Sequence, residues 1–315
     1  MSLIYSVLKP VLRATKPKRA LMTRNDCIIQ ARKIQSNFSF VLPEISGYEV
    51  HEIICEGCRC AVISRPENHH QKAVVYYAGG GYIRYQLPNV KSIRHYIEKT
   101  GMDMWIPLYP LFPDNTMFDA VKFGYAVHQK MLETYPAENI AWLGFSAGAN
   151  LIMGLGRYLV QKNYELPMPD IIISVSGCNL HISEESRKRM EQLEQKDVIF
   201  PKNQMELFKP IFDPDGTLPH YITGCASEDD YSGFPKTVLV YGGDKIFSAE
   251  APEYEKAFRR CGVRDYKIHI EPNAFHAYPV FTFTPEGKKG ENQVIAYLKP
   301  HRHKLAKTNQ KEKFT

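Results

Sequence analysis

No stretch of the 315 residues approaches the roughly 20 consecutive apolar positions that a membrane-spanning helix requires. The N-terminus, MSLIYSVLKPVLRATKPKR, also lacks the order of a secretory signal, because Lys9, Pro10 and Arg13 break up its apolar residues. The chain therefore reads as cytoplasmic. No internal repeat or low-complexity block is visible, which sets aside solenoids and arrays. Neither G-x-G-x-x-G nor a phosphate loop ending in Gly-Lys-Ser/Thr occurs, so a nucleotide cradle is not indicated.

Net positive charge is missing from the body of the chain. The formal net charge is +6, yet residues 1–25 alone carry +6 and residues 299–315 carry +5, leaving −5 between them. A nucleic-acid-binding domain would present basic residues in its body, so no such partner is expected. The basic ends read as solvated tails, with contact to an anionic membrane through the N-terminal segment as the less favoured reading. Seven cysteines is an odd number without a secreted-type spacing. Cys55, Cys58 and Cys60 form C-x2-C-x-C, but no second ligand pair follows, so no metal is expected.

What is present is a rhythm. Short apolar or β-branched runs predict strands at 49–54, 61–64, 73–77, 105–108, 140–143, 171–175, 238–241 and 267–270. From Ala73 onward they alternate with helices predicted at 90–99, 116–134, 147–161, 249–261 and 286–297. Alternation of this kind predicts an α/β fold: a mostly parallel sheet, joined by right-handed crossovers and covered on both faces. Two stretches break the rhythm. Residues 1–45 are helical from about Arg24 to Phe38, with Leu3, Ile4, Val7, Leu8, Val11 and Leu12 also at helical spacing. Residues 180–235 insert a charged helix, a second short helix and turn-rich sequence. The organisation expected is a helical cap from 1–45 and 180–235, a core from 46–179 and 236–300, and a basic tail from 301–315.

Gly144-Phe145-Ser146-Ala147-Gly148 matches G-x-S-x-G and lies between an apolar strand and a helix. Small neighbours permit a sharp strand-to-helix turn that leaves the serine hydroxyl exposed above the sheet. Tyr77-Ala78-Gly79-Gly80-Gly81-Tyr82 follows another strand, and its glycines allow main-chain N–H groups to approach a ligand. With the N–H of Ala147 they can stabilise an oxyanion. A serine nucleophile needs a base and a group to orient that base. Asp244 follows the strand at 238–241, and His276 lies just beyond the strand at 267–270, both at carboxyl ends where open α/β sheets place ligands. His269 lies within a strand, His181 and His220 in the cap, and Asp229 and Asp230 ahead of their strand, so all are worse placed.

These residues resemble the hormone-sensitive-lipase-like carboxylesterases of the α/β-hydrolase fold, whose glycine loop reads H-G-G-G. Ala78-Gly79-Gly80-Gly81-Tyr82, Tyr109-Pro110-Leu111-Phe112-Pro113-Asp114, Gly144 to Leu151, Ser232 to Thr237 with Gly243-Asp244, and Phe275-His276-Ala277-Tyr278 carry the likeness. The resemblance implies Ser146, Asp244 and His276 as a triad, with Gly79, Gly80 and Ala147 as oxyanion donors. It also implies a cap built from the N-terminal helices and the later insertion. Two positions depart from it: Ala78 stands where the family has histidine, and Phe145 where it usually has an acid. The expected function is a cofactor-free, lipase-like serine esterase for small, short-chain acyl esters, with His276 titrating near 6 to 7. An amidase using the same triad, or a binding protein on a hydrolase scaffold, are the alternatives.

Overall fold

The computed structural model describes residues 2–15, 23–67, 71–200 and 203–299. The basic tail expected at 301–315 lies outside them. In chain order the elements are α1 (Leu3–Thr15), α2 (Arg24–Ser36), β1 (Glu49–Cys55), β2 (Cys58–Ser64), β3 (Ala73–Tyr77), α3 (Val90–Thr100), β4 (Asp103–Pro107), α4 (Met117–Leu132), β5 (Ile140–Phe145) and α5 (Ala147–Gln161). They continue through β6 (Ile171–Val175), α6 (Glu184–Leu193), α7 (Asn203–Phe212), α8 (His220–Thr223), β7 (Lys236–Gly242), α9 (Ala251–Arg260), β8 (Tyr266–Glu271) and α10 (Pro285–Leu298).

The strands form one sheet in the order β1-β2-β4-β3-β5-β6-β7-β8, antiparallel from β1 to β4 and parallel from there on. The expected α/β fold is observed. β1 and β2 form a hairpin whose Glu56 and Gly57 both have positive φ, 46° and 75°, the twist that a two-residue turn between antiparallel strands requires. Alternation along β3 divides the core. Val75 and Tyr77 pack on one face with Trp142, Leu151 and Leu155, while Val74 and Tyr76 pack on the other with Phe145, Ile97 and Val294. With both faces covered, β3, β4, β5 and β6 are buried throughout, which explains their nearly continuous apolar sequence.

Helix ends follow local chemistry. Thr116 caps α4, and its side chain and that of Asp119 satisfy each other's backbone N–H groups. α3 stops at Gly101, whose φ of 71° a side chain would disfavour. α1 continues through Pro10. Residues from α1, α2 and the 180–235 insertion all line a cavity at the carboxyl edge of the sheet. α2 contacts α7, and Arg24 reaches the carbonyl of Ile211.

Candidate active site

β5 ends at Phe145 and α5 begins at Ala147, so a single residue turns the chain from strand to helix. That residue, Ser146, has φ 52° and ψ −112°, a conformation that L-residues adopt only under tertiary constraint. Its N–H donates to the Val175 carbonyl at 2.8 Å, which holds the turn against β6. The flanking glycine is required by close approach: a Cβ on Gly148 would lie 2.1 Å from the Tyr77 carbonyl oxygen. The N–H of Ala147, in the first turn of α5, has no carbonyl one turn earlier to bond and is available to a ligand.

The glycine loop lies beside this turn. A Cβ on Gly79 would stand 3.3 Å from the Ser146 Cβ, and one on Gly80, whose φ is +133°, would collide with the Arg84 carbonyl. The methyl of Ala78 cannot hold the loop as a histidine would, and other groups do so. The Tyr109 hydroxyl donates to the Ala78 carbonyl at 2.8 Å. The Tyr82 hydroxyl donates to Asn150 Oδ1 at 2.7 Å, and Asn150 Nδ2 donates to the Cys178 carbonyl at 2.7 Å. The loop is thereby tied to α5. Tyr82 and Asn150 fall within the quoted motifs, yet nothing in their residue types announced that they pair.

His276 follows β8 and places Nε2 2.9 Å from Ser146 Oγ. Its loop is fixed on both sides: the Ala277 N–H donates to Ser176 Oγ at 3.0 Å, and the Phe275 N–H donates to the Tyr5 hydroxyl at 2.8 Å. The rings of Phe200 and Phe247 stand edge-on to the imidazole, with centroids at 5.1 and 5.4 Å. Burial among them, with the Lys245 ammonium nearby, lowers the imidazole to about 3 against a partial opposing effect of Asp197. The expected titration near 6 to 7 assumed a carboxylate at the ring, and the structure places one elsewhere.

Asp244 stands next to this loop, its N–H donating to the Ala274 carbonyl at 2.9 Å. Its carboxylate pairs with Lys9 of α1, and Lys9 also donates to the Asn273 carbonyl at 3.0 Å. His276 Nδ1 is buried and has no hydrogen-bond partner among the described residues. The structure thus brings Ser146 and His276 together and directs Asp244 to the N-terminal helix.

A second charged pair lies behind the imidazole. Lys245 Nζ donates to Asp197 Oδ2 at 2.9 Å, and both side chains are fully buried. Burial alone would raise the Asp197 carboxyl, but Lys245 and the N–H groups of Phe200, Ile246 and Ile199 outweigh it and hold it below its usual range. The Lys245 ammonium lies within 3.7 Å of the ring centroids of Phe200 and Phe247. Asp197 comes from the 180–235 insertion, so this pair fastens the insertion to the His276 wall. Sequence reasoning missed it, since Asp197 closes the predicted charged helix of the insertion and Lys245 lies 48 residues further along the chain.

Ser146, His276, Gly79, Gly80 and Ala147 all line one cavity of about 640 Å³, whose walls include nine Phe and Tyr rings. Among the described residues no group of three or more His, Cys, Asp or Glu side chains could hold a metal ion. No described helix is long and apolar enough to cross a membrane.

Residues 74–280 match a family with the α/β-hydrolase fold. The chain belongs to this family. Among solved structures, this α/β hydrolase is similar to an esterase/lipase from an uncultured bacterium, at 18% identity and a TM-score of 0.76, covering 95% of this chain and 98% of that one. EstE5 soaked with p-nitrophenyl butyrate is similar over 95% and 98% of the two chains, at 18% identity and a TM-score of 0.74. An esterase from the bacterial hormone-sensitive lipase family covers the same shares at 19% identity and a TM-score of 0.73. No curated protein sequence matches the chain.

Proposed function

We propose that this α/β hydrolase is a serine carboxylesterase that cleaves short-chain acyl esters through an acyl-enzyme. The observation that carries the reading is the 2.9 Å contact between His276 Nε2 and Ser146 Oγ, made at a strained strand-to-helix turn. Ser146 Oγ attacks the ester carbonyl carbon while His276 Nε2 takes the hydroxyl proton. The oxyanion is met by the N–H groups of Gly79, Gly80 and Ala147. His276 then returns the proton to the leaving alcohol, and water repeats the sequence to release the acid. No step needs a cofactor.

Asp244 is assigned as the group that orients the imidazole, once its carboxylate leaves Lys9. The buried, unpartnered Nδ1 favours that exchange, because leaving such an atom unpaired costs about 1–3 kcal/mol. The pH dependence follows. A base must be neutral, and an imidazole lowered to about 3 stays neutral well into acid. kcat/KM should therefore be level from roughly pH 8 to 5, where an unperturbed imidazole would already be protonated. Stability has its own dependence. The unfolded chain takes up a proton that the folded imidazole refuses, so this contribution is present above the ordinary value of 6.5 and is lost as pH falls below it. Lys9→Met should free Asp244 to face the ring and move the acid limb of kcat/KM upward. A wild-type limb at pH 6 to 7 that Lys9→Met leaves in place would contradict this arrangement.

A series of p-nitrophenyl esters from acetate to palmitate tests the substrate reading. kcat/KM should peak at acetate or butyrate and decline with longer acyl chains. A maximum at decanoate or beyond would overturn the short-chain reading and leave the nucleophile assignment intact.

A further inference from the structure

The active-site cavity does not end at the nucleophile. It continues along the sheet face that carries Tyr76 and Phe145, toward α3 and α10, and its wall there includes Tyr76, Tyr96, Phe145, Phe281, Ser92 and Glu291. The rings form an aromatic surface. Tyr76 stacks on Phe145 with centroids 5.0 Å apart and meets Tyr96 edge-on at 6.3 Å. Ala78 and Phe145, the two departures from the family motif, belong to the same buried cluster as Tyr76 and Tyr96. Of the two, Phe145 lines the cavity.

Glu291 is the one carboxylate lining the cavity among the described residues, and only 7% of it is exposed. Its environment compensates a charge poorly. The Ser92 hydroxyl lies beside it, and the closest basic atom is His95 Nε2 at 3.9 Å, which also contacts Asn292 Oδ1 at 2.9 Å. Burial raises the carboxyl above its ordinary range despite Ser92, His95 and Lys91. A carboxylate removed from water must be protonated or paired. A carboxylate lining the same cavity as these rings suits an organic cation, which can gain from the aromatic wall and the charge together.

We infer that this arm is a subsite for the ammonium group of a cationic ester, with Glu291 as the counter-charge and Tyr76, Tyr96 and Phe145 as its walls. The inference rests on the esterase reading and names the substrate class of the same site. A cationic ester would lie with its carbonyl at Ser146 and its ammonium in the arm. Glu291 would discriminate between substrates without touching the reacting atoms.

The test compares acetylcholine with its neutral isostere 3,3-dimethylbutyl acetate. The wild-type protein should prefer the cationic ester in kcat/KM by about tenfold or more, the range that one desolvated cation–aromatic contact supplies. In Glu291→Gln the ratio should collapse toward one. A wild-type ratio of one or below, or a ratio that Glu291→Gln preserves, overturns the inference while leaving the esterase reading in place. If neither ester is cleaved and a fluorophosphonate does not label the protein, the esterase reading has failed instead. Calorimetric titration of the wild-type protein with choline then decides the subsite: binding that Glu291→Gln abolishes supports it, and no binding rejects it.

Discussion

Ser146→Ala is expected to lose about 10^4-fold or more in kcat/KM toward p-nitrophenyl acetate, with its melting transition retained. The hydroxyl is the only atom removed, and the turn does not depend on it. Its strain is imposed by the Ser146 N–H bond to Val175 and by the approach of Gly148 to the Tyr77 carbonyl. Whatever turnover remains comes from the glycine-loop N–H groups and from substrate binding, which the substitution leaves in place. Steady-state kinetics together with a thermal melt distinguish this from unfolding. Wild-type turnover in a folded variant would remove Ser146 from the mechanism.

His276→Ala should fall by a similar factor, about 10^4-fold or more, because a serine hydroxyl without its base is a weak nucleophile. The two residues act as a unit. The double variant Ser146→Ala/His276→Ala should therefore be no slower than either single variant, and additive losses would mean that the 2.9 Å contact is not a catalytic pair. Asp244→Asn is informative in a different way. Its carboxylate is the partner assigned to His276 Nδ1, so the substitution should lower kcat by a large factor, and a kcat that changes little would mean that the carboxylate stays on Lys9 during turnover.

The inner strands were legible because sheet burial writes itself into composition, and the half-exposed edge strands β1 and β8 by their β-branched residues. β3, β5 and β6 are covered on both faces and read as unbroken apolar runs. The edges of elements were less clear. β4 begins at Asp103, two residues before the predicted start, because its pairing with β3 starts at Ala73, and the buried Asp103 carboxylate accepts from the Tyr135 hydroxyl at 2.7 Å. β2 begins at Cys58, since pairing with β1 continues to the turn regardless of side-chain type. α8 was hidden in turn-rich sequence, where four helical residues leave no periodic signal.

The site divides along the same line. The placement of Ser146, Gly79, Gly80 and Ala147 around one turn was readable because a sharp turn and a close-approach loop demand small residues next to one another in the chain. His276 was readable from its place after a strand. The partners of Asp244 were not, because Lys9 reaches it from 235 residues away. Nor was the Asp197–Lys245 pair, which spans 48 residues and is buried only once the insertion folds onto the core. Glu291 lies on a helix with no motif around it, and its role depends on which cavity that helix faces. Periodicity reports on which face of an element is buried. It carries no record of which charged group meets which across the fold.

The most direct test of the central claim is intact-protein mass spectrometry after incubation with diisopropyl fluorophosphate. The reagent reacts with a serine only where a base activates the hydroxyl. A single adduct, mapped by peptide digestion to Ser146 and absent from His276→Ala, is the result predicted here. An unmodified protein, or an adduct on another residue with Ser146 untouched, would contradict the account.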